Sequence, residues 1–99
     1  MARLAIVFLM SLLFAAACAE NDGQSVSGQV VSVIPSGIDS FSSLTIEDSE
    51  GTLWTFQGGR FPEFTPSHLT EHQIAGEAVR VTYEEAEDGT LTVIALDDA

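Results

Sequence analysis

Lysine is absent from this chain, and its only basic residues are Arg3, Arg60 and Arg80. Fifteen acidic residues oppose them, so the net charge is −12. Phosphate backbones are held by clustered Lys and Arg, so this composition excludes a nucleic-acid binder. Cysteine occurs once, at Cys18, which excludes an internal disulfide. Histidine occurs twice and proline three times. The 99 residues allow one small core and no second domain. No glycine-rich phosphate loop, internal repeat or low-complexity tract is present.

What the chain does have begins with an apolar run. Residues 1–19 read MARLAIVFLMSLLFAAACA. Arg3 supplies a positive start, and Leu4 to Ala17 is interrupted only by Ser11. Small residues follow. That is the layout of a cleaved secretory signal peptide. A transmembrane helix needs about 20 apolar residues, and this run is shorter. The expected location is therefore exported, periplasmic or otherwise extracytoplasmic.

Two cleavage chemistries fit the end of this segment. Ala17-Cys18-Ala19 is a small-x-small site with cleavage before Glu20. Ala15-Ala16-Ala17-Cys18 is close to a lipobox, with Cys18 becoming a lipid-bearing N-terminus, although Ala15 stands where Leu is usual. The alternative for Cys18 is a small apolar residue discarded with the signal. A lipid at Cys18 would be the one expected membrane attachment, and stable anchoring takes more than one acyl chain. Cleavage after Ala19 leaves 80 residues (99 − 19) with a net charge of −13, since Arg3 is lost. At that size apolar packing alone must hold the fold.

Glu20 to Ser25 is polar and reads as a tether. The expected domain spans residues 26–97. Val26 to Ile34 is β-branched, and its apolar phase switches at Val30-Val31, which calls for a bulge or bend. Pro35-Ser36-Gly37 is a turn signal. Ser42 to Asp48 alternates, with Leu44 and Ile46 on one face. Asp48-Ser49-Glu50-Gly51 marks a hairpin. Thr52 to Gln57 follows, with Trp54 and Phe56 inward and Gly58-Gly59 as its end.

Thr65 is a fitting helix N-cap, Pro66 a fitting first residue and Gly76 a fitting stop. Phe64 and Leu69 have the spacing of a hydrophobic staple. The helix is predicted over 66–75. Val79 to Glu84 alternates again, Glu87-Asp88-Gly89 marks a second hairpin, and Leu91 to Leu96 is a last strand. That last strand is apolar on both faces, which predicts burial on both sides or a lipid- or partner-facing edge.

The order is β-β-β-α-β-β. A helix between strands three and four of five is the layout of a small OB-fold-like Greek-key barrel. A five-stranded sheet packed by one helix without closure is the alternative. The segments FSSLTIED, LWTF, FTPSHLTEH and GEAVRVTYEE, in this order behind a signal peptide, resemble small exported bacterial proteins of OB-fold type, often predicted lipoproteins. The resemblance covers about residues 26–97. It implies the barrel and the extracytoplasmic location. That family has no established activity, so it implies no catalytic residue.

Three constellations could carry chemistry. His68 and His72 lie four apart on the helix, about 40° apart around its axis. Leu69 and Ile74 define an inward side roughly opposite, so both imidazoles are expected to face outward with Glu71 beside them. Neutral imidazoles at this spacing can share Zn²⁺, Cu²⁺ or Ni²⁺. The H-E-x-x-H pattern of hydrolytic zinc is absent. The plainer reading is two histidines on a polar face.

The acidic stretch Glu84 to Asp88 lacks the EF-hand ligand spacing and reads as a solvated hairpin tip. Trp54 belongs to the core side of its strand rather than to a stacking platform. Arg60 and Phe61 lie in a loop that could form a contact surface, or Phe61 could plug one end of the barrel. Ser67 and His68 are neighbours on a helix, about 100° apart, and form no dyad.

The expected function is a non-enzymatic binding or interaction module of the cell envelope, using the loops Pro35–Ser40 and Gly58–Phe64 toward a protein or envelope ligand. The alternative is a periplasmic transition-metal-binding protein that uses His68, His72 and Glu71.

Overall fold

A computed structural model describes residues 24–99. The expected signal segment 1–19, with Cys18, and the first part of the expected tether lie outside the described residues. Five strands and one helix follow in the expected order. They are β1 (Gln24–Pro35), β2 (Ser40–Glu47), β3 (Leu53–Arg60), α1 (Pro66–Ala75), β4 (Ala78–Glu85) and β5 (Leu91–Asp98). The strands close into a barrel in the order β1-β2-β3-β5-β4, with β4 returning to β1. This is an OB-fold-like barrel with its single helix between β3 and β4. Closure removes the sheet edges that an open sheet would leave exposed.

β1 is shared between the two halves of the barrel. Gln24 to Gln29 pair with β4, and Gln29 to Pro35 pair with β2. Its first two residues come from the segment expected to be a tether, and they pair with Tyr83 and Thr82. The change of partner needs a bend. The register with β2 slips between Val30 and Ser32, so Val31 is the extra residue of a bulge. Val30 is buried before it, Val31 is exposed, and Val33 packs back against the core. Gly28 sits against the backbone carbonyl of Glu47, where a Cβ would have no room.

Gly58 and Gly59 do not end β3, which runs on to Arg60. Gly58 permits this continuation. A Cβ there would overlap the carbonyl oxygen and the ring of Phe41 on the neighbouring strand. β5 is apolar on both faces for a different reason from the one its sequence predicts. Its register with β4 shifts between Thr82 and Tyr83, which leaves Ile94 unpaired. Val93 is buried before this bulge and Leu96 after it, while Ile94 is exposed. The bulge turns each apolar set inward in turn.

The core gathers Leu44, Ile46, Phe56, Val79 and Val81 from three strands, with Leu69 from the helix. Trp54 is half-buried beside them, with its ring 5.7 Å from that of Tyr83. Both hairpin turns place a glycine at positive φ, Gly51 at 85° and Gly89 at 90°. Asp48 and Asp88 organise these turns by accepting backbone N–H bonds. The Asp88 carboxyl is held below its ordinary value chiefly by the Thr90 backbone N–H. These carboxylates serve their own turns.

Candidate metal centre

The helix that carries both histidines is capped at each end as its sequence predicts. Thr65 Oγ1 accepts from His68 N at 3.1 Å, and Pro66 occupies the first turn. Such an N-cap contributes about 1 kcal/mol to helix stability. At the other end Gly76 takes the left-handed conformation, φ 72°. Gly76 N then donates to Gln73 O at 3.4 Å and Glu77 N to His72 O at 3.0 Å. This Schellman-type ending turns the chain sharply and starts β4 two residues later.

The inward face of α1 differs from the expected one. Pro66, Leu69 and His72 are buried, while Ile74 is 82% exposed. Successive steps of three place His72 about 60° from Leu69 around the axis, on the side away from Ile74. His72 is therefore 7% exposed, not solvent-facing. His68, a turn earlier, is half-buried. Phe64 stacks on the His68 ring at 4.8 Å between centroids with planes 9° apart, which fixes that imidazole's plane.

Both rings are oriented by backbone carbonyls at the helix ends. His68 Nδ1 lies 2.8 Å from Glu63 O, in the turn before the N-cap. His72 Nδ1 lies 3.4 Å from Glu77 O, just past the C-cap. A carbonyl only accepts, so the tautomer that satisfies these contacts has its hydrogen on Nδ1. Each neutral imidazole then presents a bare lone pair at Nε2. Those two Nε2 atoms face each other at 3.2 Å.

Asp98, the last residue of β5, brings the third group. It pairs with Val79 at the start of β4, directly after the helix C-cap. Its Oδ1 lies 3.2 Å from His72 Nε2. The ligand-type atoms of His68, His72 and Asp98 all lie within 4.8 Å of one another. The carboxylate that meets the imidazoles is thus Asp98. Glu71, the expected one, is exposed and stands outside this group. Only the tertiary fold brings Asp98 to the helix, and no local spacing announces it.

In that tautomer three electron-pair donors converge here. Such a cluster is stabilised by positive charge, either a proton or a metal ion. A tetrahedral Zn²⁺ with metal–nitrogen bonds of about 2.0–2.1 Å sets its ligand atoms ~3.3 Å apart. The two 3.2 Å separations match that edge. Two imidazoles and one carboxylate suit Zn²⁺, Cu²⁺ or Ni²⁺. The described residues contain no Cys or Met, so they offer no sulfur ligand of the kind that selects Cu⁺.

The expected contact loop is built differently. Arg60 Nε pairs with Asp39 Oδ2 at 3.0 Å, and Phe61 N donates to Asp39 O at 2.8 Å. The Phe61 ring stacks on buried Phe41, 5.5 Å between centroids. Phe61 therefore covers one end of the core and ties the β3–α1 loop to the β1–β2 loop. Arg60 stays exposed.

No protein-family model, curated protein or solved structure matches this chain.

Proposed function

We propose that the protein is a non-enzymatic module of the cell envelope that binds a divalent transition-metal ion through His68, His72 and Asp98. The observation that carries this reading is the convergence of two Nε2 atoms and one carboxylate oxygen within 4.8 Å, with His72 Nε2 3.2 Å from each of the other two. Backbone carbonyls behind both rings support it, because they hold the imidazoles in the ligating tautomer before any ion arrives. Export rests on the signal-like segment 1–19 and places the ion outside the cytoplasm. The imidazoles' hydrogen-bond contacts run to backbone carbonyls and to each other, and binding, carriage or buffering of the ion is the proposed role.

Zn²⁺, Cu²⁺ and Ni²⁺ titrations followed by two-dimensional NMR test this. Saturable shifts centred on His68, His72 and Asp98, abolished by His68→Ala, are expected. Equal affinity in His68→Ala, or shifts confined to the acidic hairpins, would remove the proposal. Affinity should fall on acidification, because the ligands must be unprotonated to coordinate.

A further inference from the structure

We infer that the ion held by His68, His72 and Asp98 keeps one coordination position open, and that this position takes a neutral imidazole nitrogen from outside the chain. This rests on the metal-binding reading above. It adds that the site is built to share its ion and not to enclose it.

The count of ligands comes first. Tetrahedral sites that are purely structural are closed by four protein groups, while open sites have three. Among the described residues, only three groups of ligating type converge here. Glu77 lines the same depression, but its carboxylate is not among the ligand atoms that gather within 4.8 Å, and its backbone carbonyl faces His72 Nδ1. Trp54 and Asp48 are engaged with each other at the β2–β3 hairpin.

Space comes second. The cluster opens into a surface depression lined by His68, His72, Glu77, Ala78, Asp98 and Ala99. Its wall beyond the ligands is formed by Glu77, Ala78 and Ala99. Asp98 is exposed, so the donor side of the depression is open to solvent. A planar ring can approach the ion from that side.

Charge decides which ligand. A divalent ion with one carboxylate and two neutral imidazoles leaves one positive charge at the centre. An isolated centre of that kind would favour an anion. This one sits in a chain of net charge −12, with exposed Glu71, Glu77 and Asp97 close by in sequence to its ligands. The one basic side chain on the neighbouring strand, Arg80, is turned toward Asp97 at 3.6 Å. The surrounding field repels anions. A neutral nitrogen donor escapes that repulsion, and imidazole suits all three candidate metals. The ligand is therefore imidazole itself or a histidine side chain of another polypeptide.

Co²⁺ replaces Zn²⁺ and reports its coordination by visible absorption. The Co²⁺-loaded full chain is titrated with imidazole, with azide, and with a blocked Gly-His-Gly peptide beside its Gly-Ala-Gly counterpart. Imidazole is expected to change the spectrum saturably, at concentrations at least tenfold below those azide needs, with the metal still bound. A response to the histidine peptide and none to the alanine peptide assigns the source to polypeptide. A response to free imidazole alone assigns it to small molecules. An unaltered spectrum with every probe overturns the open position, and tighter azide binding overturns the charge argument. Absence of Co²⁺ and Zn²⁺ binding in the first place would defeat the metal reading itself, which is a separate result.

Discussion

His68 Nε2 and His72 Nε2 face each other at 3.2 Å while both Nδ1 atoms are turned to backbone carbonyls. Two lone pairs at that distance repel unless a cation lies between or beside them, and Asp98 supplies the negative charge that draws one in.

This relationship predicts an unequal response to removing carboxylates. Asp98→Asn should weaken Zn²⁺ binding by more than about tenfold, because it neutralises the carboxylate proposed as a ligand. Glu71→Gln should leave affinity within about twofold, since that side chain stands outside the cluster. Calorimetric titration of both variants distinguishes them. The reverse ranking would restore Glu71 as the third ligand and dismiss Asp98.

Much of the fold was legible because its signals are local. The helix from Pro66 to Ala75 follows from Thr65, Pro66 and Gly76, each of which acts on its own turn. The bulge at Val31 follows from a phase switch within five residues. The closing contact is another matter. β3 meets β5 in parallel at Gln57 and Thr92, and nothing in either strand's pattern names the other. The site divides in the same way. The spacing of His68 and His72 is local and was readable. The burial of His72 was not, because Ile74 looked like the inward residue and is in fact exposed. Asp98 comes from a strand at the far end of the chain, so no spacing rule could select it.

Gly76 connects the helix ending to the site. Its φ of 72° lies where an L-residue costs about 1–2 kcal/mol. No atom would touch an added Cβ there, so backbone strain is the whole effect. Gly76→Ala should lower stability by roughly that amount, and Gly76→Asn by less, as Asn tolerates this region. Because the same turn presents Glu77 O to His72, Gly76→Ala should also weaken metal binding. Urea denaturation and metal titration of both variants check the two effects. Equal stability of Gly76→Ala and the parent would show that the turn relaxes without cost.

Gly58 responds to a substitution for a different reason, lack of space. A methyl group there would overlap the Phe41 carbonyl and ring. Gly58→Ala should therefore destabilise by about 1–3 kcal/mol through overpacking. For a domain of this size that is a melting temperature lower by about 4–8 °C per kcal/mol. The displaced Phe41 also supports Phe61, so the loop that covers this end of the barrel should lose protection from amide exchange. Gly59→Ala is the control, since its added Cβ would meet only the Phe61 ring edge at 3.6 Å, an ordinary contact. Matching melting curves for the two variants would contradict the steric argument.

Asp48 predicts how the fold responds to acid. Its Oδ2 accepts from Trp54 Nε1 at 3.0 Å, and its Oδ1 accepts from Glu50 N and Thr52 N, both at 2.9 Å. The indole N–H, and after it the Thr52 N–H, hold this carboxyl below its ordinary value. The unfolded chain has no such contacts and takes up the proton at a higher pH. Stability from this site is therefore complete above about pH 4 and fades as the pH drops through the lower folded value. Asp48→Asn discards the charge and replaces one acceptor oxygen with an NH₂ donor, so the turn and Trp54 bonds cannot both be kept and it should cost stability at neutral pH. Its deficit against the parent should shrink as the pH falls below about 4, where the parent loses the same contribution. Trp54 fluorescence reports unfolding and sits at the contact itself. A deficit that stays constant or grows on acidification would show that the turn depends on the hydrogen-bond geometry of Asp48 and not on its charge.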